Sequence, residues 1–167
     1  SPSTDAGRVG IFQYNSGTNS WDQLGDWITA PSTSGGSGDH YGTTVSLSSD
    51  GYIVAFGTNI GAGATADFHA RIFQYVPSVG QWTPRSPDVQ NDNVITAAGT
   101  GIYVGNFVSL SGDGNTLVVN DQDAQTVSGI YGGAVHVLKY IDGKYTWVTR
   151  LDGYSSNSTY LGANSVA

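Results

Sequence analysis

Two segments of this chain decide its fold: VSLSSDGYIVAFG, residues 45–57, and VSLSGDGNTLVVN, residues 108–120. They begin 63 residues apart and share the pattern VSLS-x-DG. In each segment an Asp-Gly pair separates two short runs rich in β-branched and apolar residues, which is a strong signal for a β-hairpin. We therefore expect each segment to form the first two strands of an antiparallel sheet.

A second repeated pattern follows each hairpin at the same interval along the chain. RVGIFQY (8–14), ARIFQY (70–75) and AVHVLKY (134–140) are strand-like runs that end in Tyr. In every copy a Trp stands seven residues after that Tyr, and the three pairs are Tyr14 and Trp21, Tyr75 and Trp82, and Tyr140 and Trp147. Internal repetition at a fixed period is typical of propellers and solenoids.

Each full repeat thus contains four strand-like runs, and a meander of four antiparallel strands is one blade of a β-propeller. A single blade cannot bury both of its faces, whereas stacked blades cover one another. We expect an all-β propeller segment over residues 1–167, comprising a half blade, two full blades and the start of another. The boundaries that we assign to these four parts are 8–28, 41–86, 104–151 and 161–167.

Closed propellers have about four to eight blades, more than the roughly 2.5 to 3 that this chain supplies. We expect the chain to be part of a larger ring, completed by the remainder of a longer polypeptide or by several chains. The repeated Tyr and Trp residues are expected to fill equivalent places between neighbouring blades.

The pattern (F/Y)G-x-x-VSLS-x-DG, followed by a Gly-rich loop and a strand ending in Tyr, resembles the FG-GAP repeats of integrin α-chain-like propellers. The string WDQLG (21–25) is closer still to repeats of secreted microbial and algal propellers. Later copies depart from it, reading WTPRS (82–86) and WVTRL (147–151). The integrin-like calcium loop would carry several carboxylates, but SSDG and SGDG carry one Asp each. The resemblance implies a propeller. The single Asp in each loop implies that this propeller lacks the integrin-like calcium site.

The composition of the chain disfavours several classes of function. Six basic residues against thirteen acidic ones give a net charge of −7, which disfavours nucleic acid because phosphate contacts need a basic patch. No apolar run reaches the ~18 residues of a membrane span. The chain lacks Cys and Glu, and it contains no G-x-S-x-G elbow of the kind that carries a catalytic serine. We expect no catalytic residues and no cofactor, and an extracellular or cell-surface location.

Candidate binding residues are few. Four aromatic residues in expected loops could stack on a sugar: Trp27, Tyr41, Tyr103 and Tyr131. Asp121 and Asp123 form a D-x-D pair that could ligate a cation such as calcium. Asn157 begins an N-x-S/T glycosylation sequon. His136 takes the position of Gly10 and Arg71 in the other repeats, and we expect it on an exposed face.

Two functions remain open at this point. One is a non-catalytic structural, assembly or adhesion module, for example in a filament, whose partners are other protein chains or the rest of the same propeller. The other is a carbohydrate-binding, lectin-like propeller that uses the loop aromatics. A glycan-active enzyme is a distant third.

Overall fold

The structure, a computed structural model, describes residues 7–29, 40–60, 67–87, 104–121, 124 and 132–153. All regular elements in these ranges are β-strands, which confirms the all-β prediction. With no helix there, these ranges hold no apolar helix that could span a bilayer. The strands are β1 (Arg8–Val9), β2 (Phe12–Asn15), β3 (Ser20–Gln23), β4 (Ile28–Thr29), β5 (Val45–Leu47), β6 (Ile53–Ile60), β7 (Asp67–Val76), β8 (Gln81–Pro84), β9 (Val104–Leu110), β10 (Thr116–Asp121), β11 (Ala134–Ile141) and β12 (Lys144–Asp152).

The described strands form two four-stranded antiparallel meanders, which we call the second and third sheets, and two two-stranded ladders that belong to one hairpin. In the second sheet the strand order is β5-β6-β7-β8, and in the third sheet it is β9-β10-β11-β12. The first hairpin, residues 8–29, pairs β2 with β3 and β1 with β4. A backbone bond of 2.9 Å from Leu24 N to Ile11 O joins these two ladders. The first hairpin thus corresponds to the last two strands of the larger sheets.

The repeated Ser-x-Asp-Gly string builds the turn between the first two strands of each larger sheet. Ser48 Oγ donates to Asp50 Oδ1 at 2.6 Å, and the same carboxylate oxygen accepts from Tyr52 N at 3.0 Å. Ser48 Oγ in turn accepts from Ile53 N at 2.9 Å. The third sheet repeats these bonds among Ser111, Asp113, Asn115 and Thr116. The side chains therefore satisfy backbone groups that a tight turn leaves unpaired.

The second sheet packs against a neighbouring unit on each of its two faces. Because side chains alternate along a strand, Val54 and Phe56 point to one face while Ile53 and Ala55 point to the other. The first face packs against the first hairpin, in a cluster with Val9, Ile11, Ile28, Tyr41 and Trp82. The opposite face packs against the third sheet, in a cluster with Ala70, Ile72, Val108, Leu110, Leu117, Val119, Leu138 and Tyr145. The three units therefore form a stack.

The prediction that all three Tyr–Trp pairs are equivalent is wrong for the third copy. Tyr14 lies opposite Trp21, and Tyr75 lies opposite Trp82, with ring centroids 5.5 Å apart in both pairs. Tyr140, however, lies opposite Tyr145. The first two hairpins close through four-residue turns, whereas Asp142 and Gly143 close the third with two residues at positive φ. The shorter turn moves the pairing by two residues.

The shorter hairpin also changes the place of the third indole. Trp147 pairs with Leu138 beside a register shift, and its ring lies edge-on to His136 with centroids 4.6 Å apart. His136 is only 2% exposed, so the prediction of an exposed histidine is wrong. The Trp147 ring packs against the imidazole, and the alternation along β11 places His136 on the same face as Leu138, the face that packs against the second sheet.

Candidate interaction surface

A hydrogen bond from a nearly buried indole joins the second sheet to the first hairpin. Trp82 Nε1 donates to Leu24 O at 2.7 Å, and the Trp82 side chain is 9% exposed. Gly25 follows at φ +70°, where any side chain would be strained, and a Cβ there would lie 2.9 Å from Trp82 Cδ1. The glycine therefore lets the indole approach the backbone. Beside this contact Gln81 Nε2 donates to Asp26 Oδ2 at 2.9 Å.

The third sheet is hydrogen-bonded to the second at the backbone carbonyl that corresponds to Leu24 O. Tyr140 Oη donates to Arg85 O at 3.3 Å. Arg85 stands three residues after Trp82, just as Leu24 stands three residues after Trp21. The same backbone position thus accepts a hydrogen bond from an aromatic side chain of the next sheet in both interfaces, although the donor is an indole in one and a phenol in the other.

Arg85 makes a set of contacts that could not be predicted from the sequence. Its guanidinium lies 4.1 Å from the centroid of the Tyr140 ring. It donates to Gly114 O at 3.1 Å and to Asn115 Oδ1 at 2.8 Å. Arg85 therefore joins the end of β8 to the β9–β10 turn of the third sheet, combining stacking with a fork of donors that Lys lacks.

The phenol of Tyr145 binds the same β9–β10 turn from within the third sheet. Tyr145 Oη donates to Gly114 O at 2.5 Å. Burial raises the pKa of Tyr145 to about 12, so the phenol stays protonated and remains a donor over the physiological range. Gly114 O thus accepts from both Arg85 and Tyr145.

Backbone and hydroxyl groups join the two larger sheets along their first strands. Leu110 N donates to Ser46 Oγ at 2.9 Å, and Ser49 N donates to Gly112 O at 2.8 Å. Ser46 belongs to the VSLS segment of the second sheet, whereas Ser49 stands at the variable position of VSLS-x-DG and contributes only its backbone N–H. The first serine of the repeated motif therefore serves sheet-to-sheet packing, and the second serine, Ser48, serves turn formation.

The first hairpin exposes three aromatic side chains on the face turned away from the second sheet. Phe12 is 44% exposed, Tyr14 48% and Trp21 68%. We call these three residues the outer aromatic face. Their counterparts in the second sheet are Phe73, Tyr75 and Trp82, all packed against the first hairpin. The two sets thus differ in whether a preceding sheet covers them.

The third sheet has a complementary outer surface. Val118, Val135 and Val137 alternate with residues that face the second sheet, so they lie on the opposite face. They are half-buried, and we call them the outer valine face. Their counterparts in the second sheet, Ala55, Ala70 and Ile72, are at most 1% exposed beneath the third sheet.

Of the four aromatic residues predicted to bind a ligand, the structure describes two. Trp27 is 37% exposed, with the Arg8 guanidinium 4.0 Å from its ring centroid and the Phe12 ring edge-on at 6.0 Å. Tyr41 is 5% exposed and packs against Phe56, so its ring faces the core. Tyr103 and Tyr131 lie outside the described residues, and their role stays a prediction.

The predicted cation ligands are also described in part. Asp121 is 6% exposed, and its Oδ2 lies 3.8 Å from His136 Nε2. Asp123 lies outside the described residues, as does the sequon at Asn157. Among the residues that the structure describes, no group of three or more His, Asp or Glu side chains could hold a metal ion.

Sequence reasoning missed the outer aromatic face as an exposed surface, because it assigned Tyr14 and Trp21 to contacts between blades. No signal in the repeat distinguishes Tyr14 and Trp21 from Tyr75 and Trp82, because the two pairs have the same spacing. No protein-family model matches the chain, and no curated protein is significantly similar to it. The resemblance to FG-GAP repeats stays a prediction.

Proposed function

We propose that this chain is a non-catalytic, extracellular structural or assembly module of the β-propeller type. In this proposal its sheets continue the stack by packing against further sheets of the same repeat. Other protein chains or other parts of the same ring supply those sheets, and adhesion would use the same surfaces.

The observation that carries the proposal is a hydrogen bond that recurs between successive sheets, from an aromatic side chain of one sheet to the same backbone carbonyl position of the sheet before it. Trp82 donates to Leu24 O, and Tyr140 donates to Arg85 O at the corresponding position of the following interface. A contact used twice within one chain can be used again by any sheet that presents the same groups. Trp21 presents such a donor, and it is 68% exposed.

The two outer surfaces fit this continuation. The outer aromatic face corresponds to the side of the second sheet that packs on the first hairpin, and the outer valine face corresponds to the side that packs on the third sheet. One copy can therefore place its outer aromatic face on the outer valine face of the next. Such a head-to-tail contact closes into a ring or extends into a filament, depending on the rotation at each step.

Analytical ultracentrifugation over a range of concentrations tests the proposal. We expect the 167-residue chain to self-associate, and either Trp21→Glu or Val137→Lys to suppress association by placing a charge on one outer face. Val79→Glu is the control, because Val79 is 64% exposed in the turn between β7 and β8. It should associate like the unmodified chain.

Mixing the two defective variants makes the test specific for a head-to-tail contact. The Trp21→Glu chain keeps its outer valine face, and the Val137→Lys chain keeps its outer aromatic face. An equimolar mixture should therefore form a dimer and stop there. A chain that stays monomeric at all concentrations, or variants that associate as the control does, would refute the stacking proposal.

Carbohydrate binding is the second candidate, and the exposure of Trp27 next to the outer aromatic face favours it. Exposed aromatic rings offer the apolar faces on which sugars stack. A glycan array tests this candidate with the unmodified chain, Trp27→Ala and Trp21→Ala. Saturable glycan binding that Trp27→Ala removes would support a lectin, and an array without binding would reject it.

A further inference from the structure

One strand edge of the first hairpin lacks a partner strand among the described residues. In the larger sheets the strand that carries the repeated Tyr is paired on both sides, since β7 lies between β6 and β8, and β11 lies between β10 and β12. In the first hairpin, β2 pairs only with β3, and β1 only with β4, among the strands that the structure describes. Apart from the bridge between Gly7 and Tyr41 at the start of β1, the edge of β1 and β2 that corresponds to the β6 side of β7 therefore pairs with no strand in the part of the chain that the structure describes.

A groove of about 430 Å³ lies along this edge. The first hairpin lines one side through the segment from Arg8 to Phe12. The second sheet lines the other side through Gly42, Val54 and the segment from Val45 to Leu47. Apart from Arg8 and Ser46, the lining is aliphatic, aromatic or glycine, which suits an extended segment with small and aliphatic side chains.

The exposure of two aliphatic side chains identifies what this groove lacks. Val45 is 59% exposed and Leu47 47%, whereas their counterparts Val108 and Leu110 are 6% and 8% exposed. Val108 and Leu110 are covered because the preceding sheet has its first two strands, β5 and β6, beneath them. Val45 and Leu47 face a preceding unit in which those two strands have no counterpart in the described residues.

We propose that this groove binds a β-hairpin of the VSLS-x-DG type, which adds two strands to the open edge of β1 and β2. Main-chain hydrogen bonds along the edge would supply affinity, as in other strand-addition complexes. The hairpin's second strand would pair with β1 and β2 as β6 pairs with β7. Its small residues, corresponding to Ser46 and Ala55, would then cover Val45 and Leu47.

This binding goes beyond the proposed stacking, because it uses a strand edge and a groove whereas stacking uses the two outer faces, of which only Phe12 also lines the groove. The two proposals fail separately. A chain that stays monomeric would remove the stacking proposal and leave hairpin binding to be measured on the monomer.

The probe is a fluorescein-labelled peptide of residues 107–121, FVSLSGDGNTLVVND, titrated with the intact chain and followed by anisotropy. We expect saturable binding and slower amide hydrogen exchange in residues 8–15. A peptide with Val118→Pro and Val119→Pro should not bind, because consecutive prolines remove donors on both sides of the strand. Equal binding of both peptides would overturn the proposal.

Chain variants locate the binding to the groove. Leu47→Asp and Val45→Asp should each weaken peptide binding at least tenfold, while Val79→Asp, a substitution at an exposed site away from the groove, should not change it. All three side chains are about half exposed or more, and circular dichroism checks that each variant is folded. Binding that Leu47→Asp and Val45→Asp leave unchanged would overturn the proposal.

A chain with the hairpin covalently attached tests the proposal in the case that the free peptide does not form a hairpin in solution. Residues 104–133 are joined in front of Arg8, so that the natural connection between β10 and β11 links the added hairpin to β1. We expect protection of amides 12–15 against hydrogen exchange, lost in the tethered Leu47→Asp variant. Lack of protection in the tethered chain, together with lack of peptide binding, would overturn the proposal.

Discussion

Trp82 Nε1 and Leu24 O are 58 residues apart in sequence, yet a hydrogen bond of 2.7 Å joins them between two different sheets. The indole is nearly buried at this point, so water cannot easily replace the bond. The contact therefore holds the first hairpin on the second sheet, and Trp21, in the same position one repeat earlier, has no such cover among the described residues.

Trp82→Phe should lower the free energy of unfolding by about 1–3 kcal/mol, because it removes a buried donor and leaves the Leu24 carbonyl without that partner. Trp21→Phe is the matched control, and at 68% exposure it should change stability by no more than about 0.5 kcal/mol. Urea denaturation in dilute solution measures both. Equal losses for the two variants would contradict the difference in burial.

Gly114→Ala should destabilise the protein more than Gly51→Ala. Both glycines stand at the corresponding position of their turns with positive φ, +69° and +76°, and Ala costs about 1–2 kcal/mol in that region. At Gly114 the new Cβ would also lie 2.9 Å from Arg85 Nη1 and would collide with Ile53, whereas at Gly51 the nearest atom is Leu47 Cδ2 at 4.0 Å.

The overlap at Gly114 should add about 1–3 kcal/mol to the loss that the two substitutions share. Thermal unfolding of both variants measures the difference. Similar melting temperatures for the two would mean that the third sheet does not press against Arg85 and Ile53 as described.

Arg85→Lys should cost about 1–2 kcal/mol of stability although it keeps the charge. Lys cannot stack its head group on Tyr140 while donating to both Gly114 O and Asn115 Oδ1. Arg150→Lys is the control, because Arg150 contacts Asp152 at a partly exposed site, where an ion pair contributes little. The urea denaturation midpoints of the two variants measure the difference in stability. An unchanged midpoint for Arg85→Lys would contradict a role of Arg85 in joining the sheets.

Acid should destabilise the two Ser-x-Asp-Gly turns. Hydrogen bonds from Ser48 and from the Tyr52 backbone hold the pKa of Asp50 below its ordinary 3.8, and Ser111 and the Asn115 backbone do the same for Asp113. A lowered pKa in the folded state means that the ionised carboxylate stabilises the fold. This contribution is complete above about pH 3.8 and is lost as the pH falls through the folded-state pKa values.

The double variant Asp50→Asn and Asp113→Asn tests this pH dependence. We expect it to be less stable than the unmodified chain at pH 7 and to lose less stability between pH 5 and pH 2, because the titrating groups are gone. Each single variant should show part of the effect. Denaturation midpoints across this pH range supply the measurement, and an unchanged acid dependence in the double variant would contradict the prediction.

Much of the local structure could be predicted from the sequence. The Asp-Gly pairs at Asp50 and Asp113 marked the hairpins, and the Tyr-ended runs marked β2, β7 and β11. These features depend on turn chemistry and on the two-residue period of a strand, both of which are properties of neighbouring residues. The antiparallel pairing of β5 with β6 and of β7 with β8, and of their counterparts in the third sheet, followed because a short turn connects the two strands of each pair.

Burial at the candidate surface could not be predicted in the same way. Tyr14–Trp21 and Tyr75–Trp82 share spacing, pairing and ring distance, yet Trp21 is exposed and Trp82 is buried. Exposure depends on whether another sheet lies opposite. His136 was assigned to the surface because Gly10 and Arg71 take its place in the other repeats, but that exchange said nothing about the Trp147 ring that packs against it.

The sequence by itself determined the repeat, the strands and their turns, because each of these follows from residues a few positions apart. Only the tertiary structure decided which equivalent side chains are covered, and it also gave Tyr145 the partner that equal spacing had assigned to Trp147. The physical reason is that hydrogen bonds such as Trp82 to Leu24 O join residues of different sheets. Their formation depends on how the sheets stack.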